Sequence, residues 1–217
     1  MCKRKVLCLF AGVAITLLAV SLAGAATVST QTTPFGATQI PGLVGSTVID
    51  FESVTPGTYS TLTLSGVTFT PDDGNLMWVD SAYAGGYNTF GQSLHNNYDP
   101  ESFNTLTIQF SGTTSGFGFF WGASNVTWTL TAYDSLNNAI ESLALPITTD
   151  SDAGDFVGLI DPGIASATLS GDGTDYVFID NFEFQPGGTG TPEPGGLLLL
   201  GSGLLGLAGV ARKLRKA

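Results

Sequence analysis

From residue 46 to residue 184, apolar and polar positions alternate in short runs separated by Gly, Asn, Asp and Pro. The runs are 46–52, 61–70, 75–80, 105–111, 116–122, 125–134, 139–146, 155–160, 165–170 and 175–184. Alternation is cleanest at Leu106, Ile108 and Phe110, and at Val126, Trp128, Leu130 and Ala132. A period of two places one set of side chains on each face of a strand. Asp134 to Asn138 has the composition of a turn joining two such strands. No run in this region has a period near 3.6, and no internal repeat is visible, which argues against a propeller or a solenoid. The pattern predicts an all-β domain over 46–185, a two-sheet antiparallel sandwich of the jelly-roll kind.

The two ends of the chain are patterned differently. MCKRK is basic, VLCLFAGVAITLLAV is apolar, and Ala23-Gly24-Ala25 is a small-residue cleavage site, so 1–25 reads as a secretory signal peptide. Residues 26–45 read as a flexible arm rich in Thr, Pro and Gly, and 186–191 as a Gly/Thr linker. Gly195 to Ala211 then runs without a charge and with no polar face at helical spacing. Its 17 residues make a helix of roughly 25 Å, at the short end of what crosses a bilayer. Arg212, Lys213, Arg215 and Lys216 follow it, as cations follow a span that ends in the cytoplasm.

Charge sharpens the division. The seven Lys and Arg residues are Lys3, Arg4, Lys5, Arg212, Lys213, Arg215 and Lys216, so none lies between Val6 and Ala211. All 18 acidic residues lie between Asp50 and Glu193. A body of that kind repels nucleic acid and anionic lipid and favours divalent cations. Cys2 and Cys8 both fall in the signal peptide. Once it is removed, disulfides, thiolate chemistry and Cys-based zinc sites are excluded.

Pro192-Glu193-Pro194, an apolar Gly/Leu segment and an Arg/Lys cluster, in that order over 192–217, resemble the PEP-CTERM sorting signal of Gram-negative bacteria. The resemblance implies an inner-membrane-anchored precursor. It implies recognition by an exosortase-type processing enzyme, and transfer to the cell surface or extracellular matrix. It also implies an association with exopolysaccharide and biofilm. The body carries a second resemblance in DFE (50–52), GVTFT (66–70), FGFFWG (117–122), TAYDS (131–135), FVG (156–158) and IDNFEF (179–184). Their order is similar to that of secreted bacterial β-sandwiches related to carbohydrate-binding jelly rolls.

Four kinds of site follow. His95, in SLHNNYDPES (93–102), could serve a hydrolase only if Ser93 or another serine and an acid converged on it, and no G-x-S-x-G elbow is present. It reads as a loop histidine near a turn. Paired carboxylates among Glu52, Glu101, Glu141 and Glu183 could hydrolyse a glycosidic bond if two faced each other, which makes a secreted carbohydrate-active hydrolase the competing function. The second resemblance implies a structural calcium ion between first and last strands, held by Glu52 and Asp180. A body rich in oxygen donors suits calcium, whereas a strand bend at Asp180-Asn181 would account for the same polar pair. Trp78, Tyr83, Tyr87 and Tyr98 are candidates for sugar stacking, the three tyrosines because they lie in the long irregular stretch 81–102. Trp121 and Trp128 sit within strand patterns and are expected in the core. The sequence thus predicts an exported, non-enzymatic surface or matrix protein whose sandwich binds or packs, with extracellular polysaccharide as partner.

Overall fold

The computed structural model describes residues 26–28, 46–72, 74–96, 104–171 and 175–186. The expected signal peptide, the linker beyond Pro186, Pro192-Glu193-Pro194, the apolar segment, the basic tail, Tyr98 and Glu101 lie outside these residues. Among the described residues the regular structure is β-strand throughout. The strands are β1 (Ala26–Val28), β2 (Thr47–Ile49), β3 (Gly57–Tyr59), β4 (Leu62–Leu64), β5 (Val67–Pro71), β6 (Met77–Asp80) and β7 (Ser93–His95). They continue with β8 (Thr105–Gly122), β9 (Thr129–Tyr133), β10 (Ala139–Ala144), β11 (Phe156–Ile160), β12 (Ile164–Ser170) and β13 (Phe178–Pro186). All pairings between them are antiparallel.

The 18-residue β8 organises the fold. Its first half pairs with β5 and β12, and its second half with β11 and β13. Between the halves the register against β12 jumps from Gln109–Ser166 to Thr114–Ile164, so extra residues of β8 bulge out and the strand bends. The bend changes which parity faces inward. Leu106, Ile108 and Phe110 are buried before it, and Phe117, Phe119 and Trp121 after it. One half-sheet then runs β10-β9-β12-β8-β5-β4, and the other contains β11, β8, β13, β7, β6 and β3. Their inner faces meet: Phe69 of β5 lies 5.2 Å from Phe182 of β13, and Trp121 of β8 lies 5.9 Å from Trp128 before β9. This is the sandwich layering expected of alternating strands. Both tryptophans are in the core, with Trp121 Nε1 donating to the Pro146 carbonyl at 3.0 Å and Trp128 Nε1 to Asp175 at 2.8 Å.

A second bulge, in β13, prepares the outer face. The register with β8 shifts between Asp180 and Glu183, and Asn181 takes φ 43°. Ile179 points to the core before the shift, and Phe182 and Phe184 after it. Without the extra residue, Phe182 would turn outward. Phe178 and Asp180 are left on the opposite face.

Candidate functional site

On the outer face, antiparallel pairing aligns Thr58, Trp78, His95, Phe178 and Gly122 in one cross-strand row through β3, β6, β7, β13 and β8. Neighbours in such a row share a face and touch. The 81–92 loop folds back over this row. Gly122 makes that possible: a Cβ there would fall 1.7 Å from the Tyr87 carbonyl oxygen. The loop is pinned by its own polar atoms. Asn88 is buried and donates to the Trp121 carbonyl at 2.8 Å and to Asp155 at 2.9 Å, while its Oδ1 accepts from Gly154 N–H at 2.7 Å. Tyr87 N–H donates to Asp152 at 2.5 Å. Tyr87 and Asn88 both take positive φ, 54° and 58°, a conformation that these bonds hold in place.

The result is a cluster of rings around Phe178. Tyr83, Tyr87, His95 and Tyr176 lie at centroid distances of 5.1, 5.7, 5.2 and 4.8 Å from it. Tyr83 also meets Tyr87 at 5.8 Å and Tyr176 at 5.4 Å, edge to face. Where the cluster reaches solvent it opens into a cleft of about 230 Å³ lined by Tyr83, Tyr87, Tyr176, Asn125, Thr149 and Asp150, with Ala123 at its base. Asp175, 3 % exposed, fixes one wall. Its carboxylate accepts the N–H groups of Asn125, Val126 and Tyr176 as well as the Trp128 indole. Burial, helped by Tyr83 and the charge of Asp80, raises the pKa of the Tyr176 phenol, which therefore keeps its proton.

The sequence-predicted aromatic candidates divide. Tyr83 and Tyr87 line the cleft; Trp78 sits half-buried on the same sheet face, beside His95 in the row, but does not line it. Tyr176, Asn125, Thr149 and Asp150 were not singled out by the sequence. Tyr176 read as the second residue of the run 175–184 and Asn125 as the first of the run 125–134; the fold places both, with Thr149 and Asp150, outside the strands and beside Tyr83.

His95 is not a loop residue, contrary to the expectation. It ends β7, within the stretch read as irregular, and is 3 % exposed beneath the tyrosines. Its Nδ1 donates to the Asn96 carbonyl at 2.7 Å, and its Nε2 stands 3.3 Å from Asp80 Oδ1 without hydrogen-bond alignment. Ser93 shares the face, across from Asp80, yet both ring nitrogens of His95 already face other groups. A serine-activating geometry, with base nitrogen on the hydroxyl and the other on an acid, is not formed here.

Glu52 and Asp180, the two residues expected at a calcium ion, both hydrogen-bond to the short segment 90–92. Asp180, fully buried, accepts Phe90 N–H at 2.6 Å and Asn181 N–H at 2.6 Å, and Glu52 Oε1 accepts Gln92 N–H at 2.7 Å. Between Phe90 and Gln92 stands Gly91, at φ +78°, where a Cβ would fall 1.8 Å from Glu52 Oε1. Burial first, and the charges of Glu52 and Asp50 next, push the Asp180 pKa up to about 7, against the lowering effect of its two N–H donors. Oxygen donors with a surplus of negative charge fit a hard cation. Among the described residues, however, no three acidic, His or Cys side chains group closely enough to hold a metal ion. Any calcium here would draw further ligands from backbone carbonyls or water.

Of the carboxylates considered for hydrolysis, Glu52, Glu141 and Glu183 stand on different elements and none lines the cleft. Glu141 of β10 and Asp161, just after β11, interact: the pKa of Asp161 is raised by burial and then by the charge of Glu141.

An antiparallel β-sandwich with an open tyrosine cleft on one outer face is the class that fold and site define. Comparison of the sequence with protein-family models and with curated proteins gives no match. Solved structures give remote likenesses. The K1 cleaved adhesin domain of Lys-gingipain from Porphyromonas gingivalis W83 superposes with a TM-score of 0.42 at 12% identity, over 66% of this chain and 99% of that one. A family 6 carbohydrate-binding module gives 0.32 at 16%, over 64% and 92%. A family 43 arabinoxylan arabinofuranohydrolase from Bacillus subtilis gives 0.35 at 14%, over 50% of this chain and only 24% of the hydrolase. Likenesses this remote transfer neither ligand nor activity.

Proposed function

We propose that this chain is an exported, non-enzymatic polysaccharide-binding protein, a jelly-roll-like sandwich delivered to the cell surface or matrix through its C-terminal sorting signal. The observation that carries the binding is the cleft in which Tyr83, Tyr87 and Tyr176 present ring faces and edges beside the polar groups of Asn125, Thr149 and Asp150. Sugars offer C–H faces that pack on rings and hydroxyls that need donors and acceptors, and an open site of this kind supplies both. Among the described residues, those lining the cleft include no histidine, thiol or facing carboxylate pair to break a bond. The competing hydrolase would need two of Glu52, Glu101, Glu141 and Glu183 facing each other; Glu52, Glu141 and Glu183 do not line the cleft, and Glu101 lies outside the described residues.

A glycan array probed with the full-length protein tests the reading. We expect retention on a subset of polysaccharides, weakened about tenfold by Tyr83→Ala and weakened likewise by Tyr176→Ala; no retention on any glycan, or retention indifferent to both changes, overturns it. Delivery is tested separately. Replacing Pro192, Glu193 and Pro194 by alanine should leave an exported precursor at full mass in the membrane, whereas the native chain is processed by an exosortase-type enzyme. Glu52 and Asp180 are assigned to a structural calcium ion that ties the first strand of the sandwich to the last.

A further inference from the structure

The sugar-binding reading leaves the class of sugar open, and the charge around the cleft narrows it. Asp150 lines the cleft itself. Asp152 stands directly behind it, bonded to Tyr87 N–H, and Asp80 lies beneath it, with Oδ1 accepting Ala82 N–H at 2.9 Å. The one titratable base near these acids is His95, buried under Tyr83 and Tyr176 and turned toward Asp80. From residue 6 to residue 211 the chain has no Lys or Arg. A uronate or sulfated sugar entering the cleft would therefore meet carboxylates and ring faces, both of which repel an anion, and no fixed cation. An ammonium group would meet the opposite on every side, since ring faces and carboxylates both attract it.

We propose that the cleft selects a polysaccharide of amino sugars with free, protonated amines, the ammonium group seated among Tyr83, Tyr87 and Tyr176 with Asp150 as its counter-charge. This rests on the sugar-binding reading and adds a sign to it. Asp150 is exposed at the rim, so its attraction is screened by salt, while the tyrosine faces act at closer range and are screened less.

The test is calorimetric titration of the full-length protein with three tetrasaccharides: glucosamine, N-acetylglucosamine and galacturonic acid. We expect the glucosamine tetramer to bind about tenfold more tightly than the N-acetylated one, which keeps the ring and loses the charge. The galacturonate tetramer should not bind. Asp150→Asn should reduce the preference for the free amine, leaving the share contributed by the tyrosine faces, and Asp150→Glu should keep it. Asp161→Asn removes the same charge at the far end of β11 and should leave the preference intact. If the two asparagine variants weaken binding equally, bulk charge is responsible and the proposal is overturned. Equal, tyrosine-dependent affinity for the acetylated and free-amine tetramers overturns the proposal while leaving sugar binding in place. If the glycan array and all three tetramers are silent, the sugar-binding reading falls as well.

Discussion

Phe178 and Phe182 lie one bulge apart on β13 and make opposite use of the same ring. On the inner face, Phe182 is surrounded by Phe69, Phe110, Phe117, Phe119 and Phe184, at centroid distances from 5.2 to 6.4 Å. On the outer face, Phe178 is surrounded by Tyr83, Tyr87, His95 and Tyr176, at 4.8 to 5.7 Å. Each partner of Phe182 is hydrocarbon at its tip, and each of those partners of Phe178 carries a heteroatom. A ring with a polar tip can stay half in water without leaving that tip unpaired. The inner cluster can only be a core, whereas the outer one can rest closed or open toward a ligand. Asn181 separates the two, because its extra residue in the ladder keeps Phe182 inward and Phe178 outward.

The comparison predicts that damage to the inner cluster is the most costly to stability. Phe182→Ala removes the central ring of a buried layer and should lower the unfolding free energy by about 3–5 kcal/mol, measured by denaturant titration. A loss near that expected of a surface change would mean that the two half-sheets are not packed as described.

Next in size is the hinge between the two regions. Asp175→Ala leaves Trp128 Nε1 and the N–H groups of Asn125, Val126 and Tyr176 without their shared acceptor. A loss of about 2–3 kcal/mol is expected for a charged, buried acceptor. Glycan binding should weaken with it, because Asn125 and Tyr176 form a wall of the cleft. Full binding in a variant destabilised by that amount would separate the wall from the core.

How much of this was legible beforehand differs between the two regions for a physical reason. The inner cluster was written in the period-two alternation of single strands, so the ten runs found in the sequence all contain observed strands, and Trp121 and Trp128 fell in the core as expected. The runs 105–111 and 116–122 proved to be one continuous β8, since a bend with a parity change looks like a break. The run 61–70 proved to be a hairpin, β4 and β5. The outer cluster depends on residues distant in sequence. Tyr83 and Tyr87 line the cleft and lie in the long irregular stretch the sequence marks, but Tyr176, Asn125 and Asp150 carry no local signal. His95 was misread because β7, only three residues long, is too short to show alternation.

A gentler test concerns Asp180, on the outer face near the loop. Burial raises its folded pKa to about 7 from the ordinary 3.8, so between these values the folded state holds a proton that the unfolded chain has released. Its contribution to stability is therefore complete below about pH 4 and is lost as pH rises to 7. The effect is moderated because Phe90 and Asn181 N–H groups bond the carboxyl in either form. Melting temperatures should decline over that interval, and Asp180→Asn should flatten the decline. Calcium favours the carboxylate and should raise the melting temperature most at neutral pH, as a ligand of the folded state does. Identical melts in calcium and in EDTA at pH 7.5 would remove the ion from Glu52 and Asp180.

The smallest expected change in stability is at Tyr83. It is 39 % exposed and packs on the outer cluster rather than between the sheets. Tyr83→Ala should cost no more than about 1 kcal/mol, while binding of a glycan that stacks there falls about tenfold. The two numbers together decide what the outer cluster is. A stability loss matching that of Phe182→Ala would make Tyr83 a core residue that happens to reach the surface. A small stability loss with undiminished binding would leave the rings a plug over Phe178 and His95. Only a folded, stable variant that has lost its ligand makes the outer rings a binding surface, since there the ring's work is done on something other than the protein itself.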